Sequence, residues 1–196
     1  DTGAFLARPP YLVVSSPEQS SAVILIENPI AFEKAILSDA AKHCTFICTF
    51  GFGLSNSANE YGNQLAGTVE AGNAILLQRG KFTADCLEQL IGQPNVFFWG
   101  DLDIAGIQIY ERLLKKIPHL RYSGLYEPMV SALNESDRCH PYVSAVGKQG
   151  QRVTAVSDPV SAMLMLLCER RAVDQEIVTS HQISVLADSS FHHPST

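Results

Sequence analysis

Two hydrophobic patterns alternate along this chain: short unbroken apolar runs, and apolar positions spaced for a helix. Tyr11 to Ser15 is a β-like run closed by Ser-Ser-Pro-Glu. Ala22 to Glu27 has the unbroken apolar character of a strand buried on both faces. Behind Pro29, where helices accept proline, Phe32, Ala35, Ile36 and Ala40 recur at helical spacing. Thr45 to Phe50 is the next strand, followed by Gly51-Phe52-Gly53, a tight turn or a weak phosphate-cradling loop. Ala74 to Leu77 reads as an edge strand within an insertion from Gly67 to Gly80. Phe82 to Ile91 reads as a helix, and Val96 to Trp99 as a strongly buried strand. Ile104 to Ile117 is the clearest helix, with Ile107, Tyr110, Leu113, Leu114 and Ile117 on one face and Pro118 ending it.

Farther on, Tyr122 to Tyr126 predicts a strand and Pro128 to Leu133 a short helix. Residues 134–153 are polar and aperiodic, the signature of a long surface loop. Asp158 is placed to cap a helix from Pro159 to Arg171, and Val173 to Val178 continues as a short helical piece. Buried strands alternating with helices predict an α/β fold: a mostly parallel central sheet with helices on both faces. The expected organisation is a lead-in over residues 1–20, one domain over 21–187 and a disordered tail over 188–196.

The 196 residues are enough for one sizeable core. No apolar run approaches the roughly 18 residues of a membrane span, and no signal peptide is visible. The chain begins at Asp1 rather than Met, which reads as a piece of a longer protein. Its five cysteines are scattered and odd in number, the usage of buried, reduced thiols, so the cytoplasm is the expected compartment. The net charge of −6 argues against a domain that grips nucleic acid over its whole surface. Basic residues cluster only locally, at Lys115-Lys116, Lys148 to Arg152 and Arg170-Arg171.

Candidate chemistry lies where two apolar runs end on carboxylates: Ile26-Glu27-Asn28, and Trp99-Gly100-Asp101-Leu102-Asp103. Neighbouring parallel strands would deliver Glu27, Asp101 and Asp103 to one carboxyl edge, where open α/β sheets bind ligands. Like charges gathered there call for a cation, and hard oxygen donors select Mg²⁺ or Mn²⁺. Asp103 also suits the N-cap of the helix that opens at Ile104, and Glu27 an exposed strand end.

The Ile-Glu-Asn of residues 26–28 with Phe32, and Phe-Trp-Gly-Asp-Leu-Asp-x-x-Gly over residues 98–106, resemble the Toprim domain. The variant is that of the C-terminal part of JetD, the nuclease subunit of Wadjet plasmid-defence systems, related to the Toprim domain of topoisomerase VI A subunits. The strand leading into Gly-x-Gly over residues 46–56 and the segment Asp174-Gln175-Glu176 are similar to stretches of the same family. The resemblance implies a Rossmann-like sheet and a Mg²⁺-dependent nuclease that cleaves DNA phosphodiesters. Glu27, Asp101 and Asp103 then match its catalytic and metal-binding residues, with Glu176 as an outer metal ligand. Lys115, Lys116, Arg170 and Arg171 are the candidate DNA contacts. The implied partners are double-stranded DNA, other subunits of a defence complex and a second copy of the full-length protein, with no membrane. Relatives carry a DNA-binding module upstream, so weak DNA binding is expected of this chain alone. The competing readings are a non-catalytic metal- or partner-binding module, and a small-molecule phosphatase built on Asp101 and Asp103.

Overall fold

The strongest apolar runs form the centre of the sheet. The computed structural model describes residues 11–48, 75–80, 86–142, 151 and 155–192. Its strands are β1 (Tyr11–Ser15), β2 (Ala22–Ile26), β3 (Cys44–Cys48), β4 (Ile75–Gln78), β5 (Val96–Trp99) and β6 (Arg121–Tyr122), joined in the order β4-β1-β3-β2-β5-β6. Every residue of β2, β3 and β5 is buried. That is why their sequences run apolar without alternation. The sheet is mainly parallel: β2 pairs in parallel with β3 and β5, β5 with β6, and β1 with β4. The exception is β1 against β3, which run antiparallel.

The helices are α1 (Pro29–Ile36), α2 (Leu87–Ile91), α3 (Ile104–Leu114), α4 (Tyr126–Ala132), α5 (Pro159–Leu167) and α6 (Ser180–Leu186). Local chemistry explains several starts. Asn28 caps α1 by accepting from Ile30 and Ala31 N–H, with Pro29 following. Asp158 caps α5 by accepting from Ser161 N–H. Thr179 and Gln182 form a capping box at α6. A second, two-stranded sheet pairs β7 (His140–Pro141) with β8 (Arg171–Ala172).

Several expectations change. Tyr11–Ser15 is the strand that its β-like run predicts, but it is paired on both sides within the central sheet rather than standing apart in the lead-in over residues 1–20. The strand expected over Tyr122 to Tyr126 stops at Tyr122. There Ser123 turns its hydroxyl to Ala187 O, and Gly124 is so close to Ser189 and Leu186 that no side chain would fit. The helix expected to reach Arg171 ends at Leu167, because residues 171–172 pair as β8. The long loop is interrupted by β7. The tail expected to be disordered is packed as far as His192. Ser190 bridges Ser123, Phe191 N–H donates to Tyr122 O, and the Phe191 ring is buried against Tyr126. The glycine turn at 51–53, Lys148 and residues 1–10, 81–85 and 193–196 lie outside the described residues.

One buried charge ties two helices together. Glu111 lies on the inner side of α3, one turn after Ile107, and is 9% exposed. Its carboxylate accepts from Ser157 N–H and hydroxyl and from Asp158 N–H, just ahead of α5. Burial raises its pKa, but these donors outweigh burial and hold it below the ordinary value. A lowered folded-state pKa stabilises the fold above the ordinary carboxylate range, and the benefit is lost as pH falls through the lowered value. Glu111→Ala should therefore cost about 2 kcal/mol in urea unfolding at neutral pH. The gap between variant and wild type should narrow as the solution is acidified.

Candidate functional site

Strand order reverses between β2 and β5. From β2 the chain crosses over to β3 on one side, whereas from β5 it crosses over to β6 on the other. In open α/β sheets, ligands bind in the crevice beyond the carboxyl ends of such a pair. Here Ile26 is level with Trp99, so Glu27 and Gly100-Asp101 leave the sheet side by side. Glu27 N–H donates to Trp99 O at 3.2 Å, which extends the pairing one residue past the strand.

Both glycines of the second motif have steric reasons. A Cβ on Gly100 would sit 2.8 Å from Glu27 Oε2 and 2.6 Å from the Phe98 ring, so the Glu27 carboxylate lies over this bare backbone. A Cβ on Gly106 would run into the carbonyl oxygen of Asp101. Asp-x-Asp-x-x-Gly is therefore a folded unit in which the first turn of α3 packs directly on the Asp101 backbone.

Asp103 is buried and caps α3, with Oδ1 accepting from Gly106 N–H at 2.7 Å. Its Oδ2 accepts from Gln151 Nε2 at 3.1 Å. The other free amides of that helix end are also engaged, Ile104 N–H by Tyr142 Oη and Ala105 N–H by Gln151 Oε1. Asp101 Oδ1 accepts from Gln175 N–H at 3.0 Å.

Gln175, fully buried, clamps the crevice. Its Oε1 accepts from Asn28 N–H at 3.1 Å and its Nε2 donates to Trp99 O at 2.8 Å, so one side chain spans the ends of β2 and β5. A paired bridge between Leu102 and Val173 seats this segment across the sheet edge. Glu176 follows. Its Oε1 accepts from Asn28 Nδ2 at 2.7 Å, and its Oε2 is buried with no hydrogen-bond partner among the described residues. Lys34 Nζ fixes the segment from below by donating to Glu176 O and Val178 O.

The Tyr126 hydroxyl registers the gathered charge. Burial pushes its pKa well above the ordinary value, and the Glu27, Asp101 and Asp103 carboxylates all add to the rise, against the hydrogen bond from Gly100 N–H. Burial likewise raises Cys48, level with Ile26, to about 12, helped by Glu33 and Glu27. The three carboxylates thus share a neighbourhood, but their oxygens are not all within 4.8 Å of one another. Among the described residues the histidine, cysteine and acidic donors that meet that spacing are His43, Cys44 and Asp188, at the start of β3.

The expected DNA contacts divide. Lys115 and Lys116 follow the last turn of α3, about 18 Å or more along its axis from Asp103. There they line an open depression of about 530 Å³ with Gln108, Arg112 and Val156. Arg170 and Arg171 are exposed and lie just ahead of Val173, on the segment that crosses the acidic edge. Sequence reasoning included Asn28 in the first motif without a role of its own, and missed Lys34, Tyr126, Tyr142 and Gln151 as parts of this edge. Asn28 carried a local signal, a capping residue before proline, whereas the other four carried none.

Compared with protein-family models and with curated proteins, the chain matches none of either.

Two substitutions test the construction of the edge. Gln175→Ala removes one of the two donors to the buried Trp99 carbonyl and leaves the part-buried Asn28 N–H without its acceptor, and should cost about 1–2 kcal/mol in urea unfolding. Gly106→Ala should cost about 2–3 kcal/mol, because the Asp101 backbone must move to admit the methyl group. A Gly106→Ala protein as stable as wild type would show that the contact between α3 and Asp101 is loose.

Proposed function

We propose that this chain is a Toprim-like, Mg²⁺-dependent domain that cleaves DNA phosphodiesters, acting within a larger plasmid-defence protein. The observation that carries the reading is that Glu27 and Asp101 leave neighbouring strand ends, Glu27 level with Gly100 and Asp101 one residue beyond, at the point where strand order reverses. The donor set fits a hard divalent cation: carboxylate oxygens, with the orphaned, buried Glu176 Oε2 in the same neighbourhood. Hydrogen bonds to Asp101 and Asp103 leave lone pairs on their oxygens, since a carboxylate offers about four acceptor positions. Glu27, Asp101 and Asp103 would hold the ion, and Glu176 would support it from outside. A bound Mg²⁺ supplies charge neutralisation at a phosphate and lowers the pKa of an attacking water.

The chain's own residues have distinct tasks. Gln175 and Asn28 hold the two strand ends at fixed separation, so the carboxylates are pre-positioned. Glu27, against the Gly100 backbone, is the candidate base for the water proton. Arg170 and Arg171 are the candidate phosphate contacts nearest the edge, and Lys115 and Lys116 would engage DNA farther along α3. Double-stranded DNA, other defence subunits and a second copy of the parent protein are the partners this reading implies. The alternative is a non-catalytic metal- or partner-binding module. It is favoured by the engagement of both Asp103 oxygens with Gly106 and Gln151.

Calorimetry with Mn²⁺ and cleavage of supercoiled plasmid test the proposal together. Wild type should bind Mn²⁺ and nick plasmid, with DNA binding that fades at modest salt. Asp101→Asn should abolish the Mn²⁺ heat. Asp103→Asn, which keeps the cap acceptor but removes the charge, should lower cleavage about a hundredfold. Mn²⁺ binding with no cleavage by the intact parent protein would favour the non-catalytic module. Normal cleavage by both variants would remove the acidic edge from the chemistry.

A further inference from the structure

At the start of β3, on the end of that strand away from the acidic edge, three donors of different chemistry converge. They are the His43 ring, the Cys44 thiol and the Asp188 carboxylate, with ligand atoms all within 4.8 Å of one another. His43 Nε2 and Asp188 Oδ2 are 3.6 Å apart, too far for a hydrogen bond. Two ligands on a tetrahedral ion with bonds of about 2.0–2.1 Å are themselves about 3.3–3.4 Å apart. At that distance the two lie in ion-pair range, and the spacing is also close to that of two ligands sharing an ion.

The surroundings hold these donors in place. His43 O accepts from both Ser21 N–H and the Ser21 hydroxyl, and His43 N–H donates to Ala40 O. On the other side, Ala187 O accepts from the Ser123 hydroxyl, while Gly124 N–H donates to Ser189 O. Asp188 therefore lies between two anchored residues. Cys44 is fully buried at the base, whereas the His43 and Asp188 side chains are 44% and 38% exposed. The two partly exposed donors thus face solvent, with the thiol buried behind them.

We propose that His43, Cys44 and Asp188 form a zinc-class site that staples the start of β3 to the chain leaving α6, with a fourth position left to water. Thiolate, imidazole and carboxylate in tetrahedral reach suit Zn²⁺ and its Co²⁺ surrogate, whereas Mg²⁺ prefers six oxygens. On binding, the Cys44 thiol gives its proton to solvent as its sulfur–metal bond forms. The site is independent of the acidic edge and of any nuclease activity.

Titration of the full chain with Co²⁺ tests it. One equivalent should produce a thiolate-to-cobalt charge-transfer band in the near ultraviolet, which Zn²⁺ should erase by displacement. Added Zn²⁺ should raise Tm as its concentration rises. Cys44→Ser should lose the band. Because that residue is buried, His43→Gln and Asp188→Asn, at more exposed positions, provide the second test, and each should weaken Co²⁺ binding about tenfold or more. Asp101→Asn should leave the thiolate-to-cobalt band unchanged, which separates this site from the acidic edge. The proposal is overturned if wild type gives no charge-transfer band at stoichiometric Co²⁺. A folded Cys44→Ser that keeps the band, or His43→Gln and Asp188→Asn that both bind as wild type does, would overturn it equally.

Discussion

The parallel pairing of β2 with β5 is the constraint from which the rest of this architecture follows. Two strands buried along their whole length lie against each other, and their crossovers leave in opposite directions. Neither the crossover from β2 to β3 nor that from β5 to β6 closes the space beyond their carboxyl ends, so polar groups can be placed there without being covered by either connection. Carboxylates at such a position are costly unless each has donors or a cation. The protein supplies donors from a distant segment: Gln175 bridges the strand ends, its N–H meets Asp101, and Asn28 reaches Glu176.

Charge placement follows the same logic elsewhere. Glu111 is tolerated on the inner side of α3 because three donors from residues 157 and 158 meet its carboxylate. Lys34 is tolerated beneath the edge because two carbonyls accept from its ammonium group. In each case the charge links elements far apart in the chain. A charged group that cannot be left unsatisfied is a specific connector, whereas an aliphatic contact at the same place could slide.

The central strands were legible because burial on both faces leaves an unbroken apolar run, as in Val23 to Ile26 and Val96 to Trp99. The abrupt switch to Glu27 and Asp101 was legible for the same reason. The antiparallel direction of β1 was not, since five residues of β-like sequence carry no sign of orientation. Gln175 drew notice only through a family resemblance, because a side chain that bonds across 147 residues has no local periodicity to betray it. In sequence Tyr126 reads as the end of a strand, but the close approach of Ser189 to Gly124 turns the chain first, and α4 begins at Tyr126. The packed end of the chain escaped because its anchor is a single aromatic residue, Phe191, in a short polar stretch.

The clamp has a consequence for the order in which the molecule is made. Glu27 and Asp101 are synthesised well before the groups that fix them, which arrive with residues 171–178, behind nearly all the described sheet. Until then the strand ends carry exposed like charges and an unclosed edge. Contacts of such long sequence separation form slowly, since the entropy of closing the intervening chain is lost before they repay it. A nascent chain stalled before Gln175 would thus hold a nearly complete sheet and no finished crevice, so any activity of this edge would be withheld until translation had passed it.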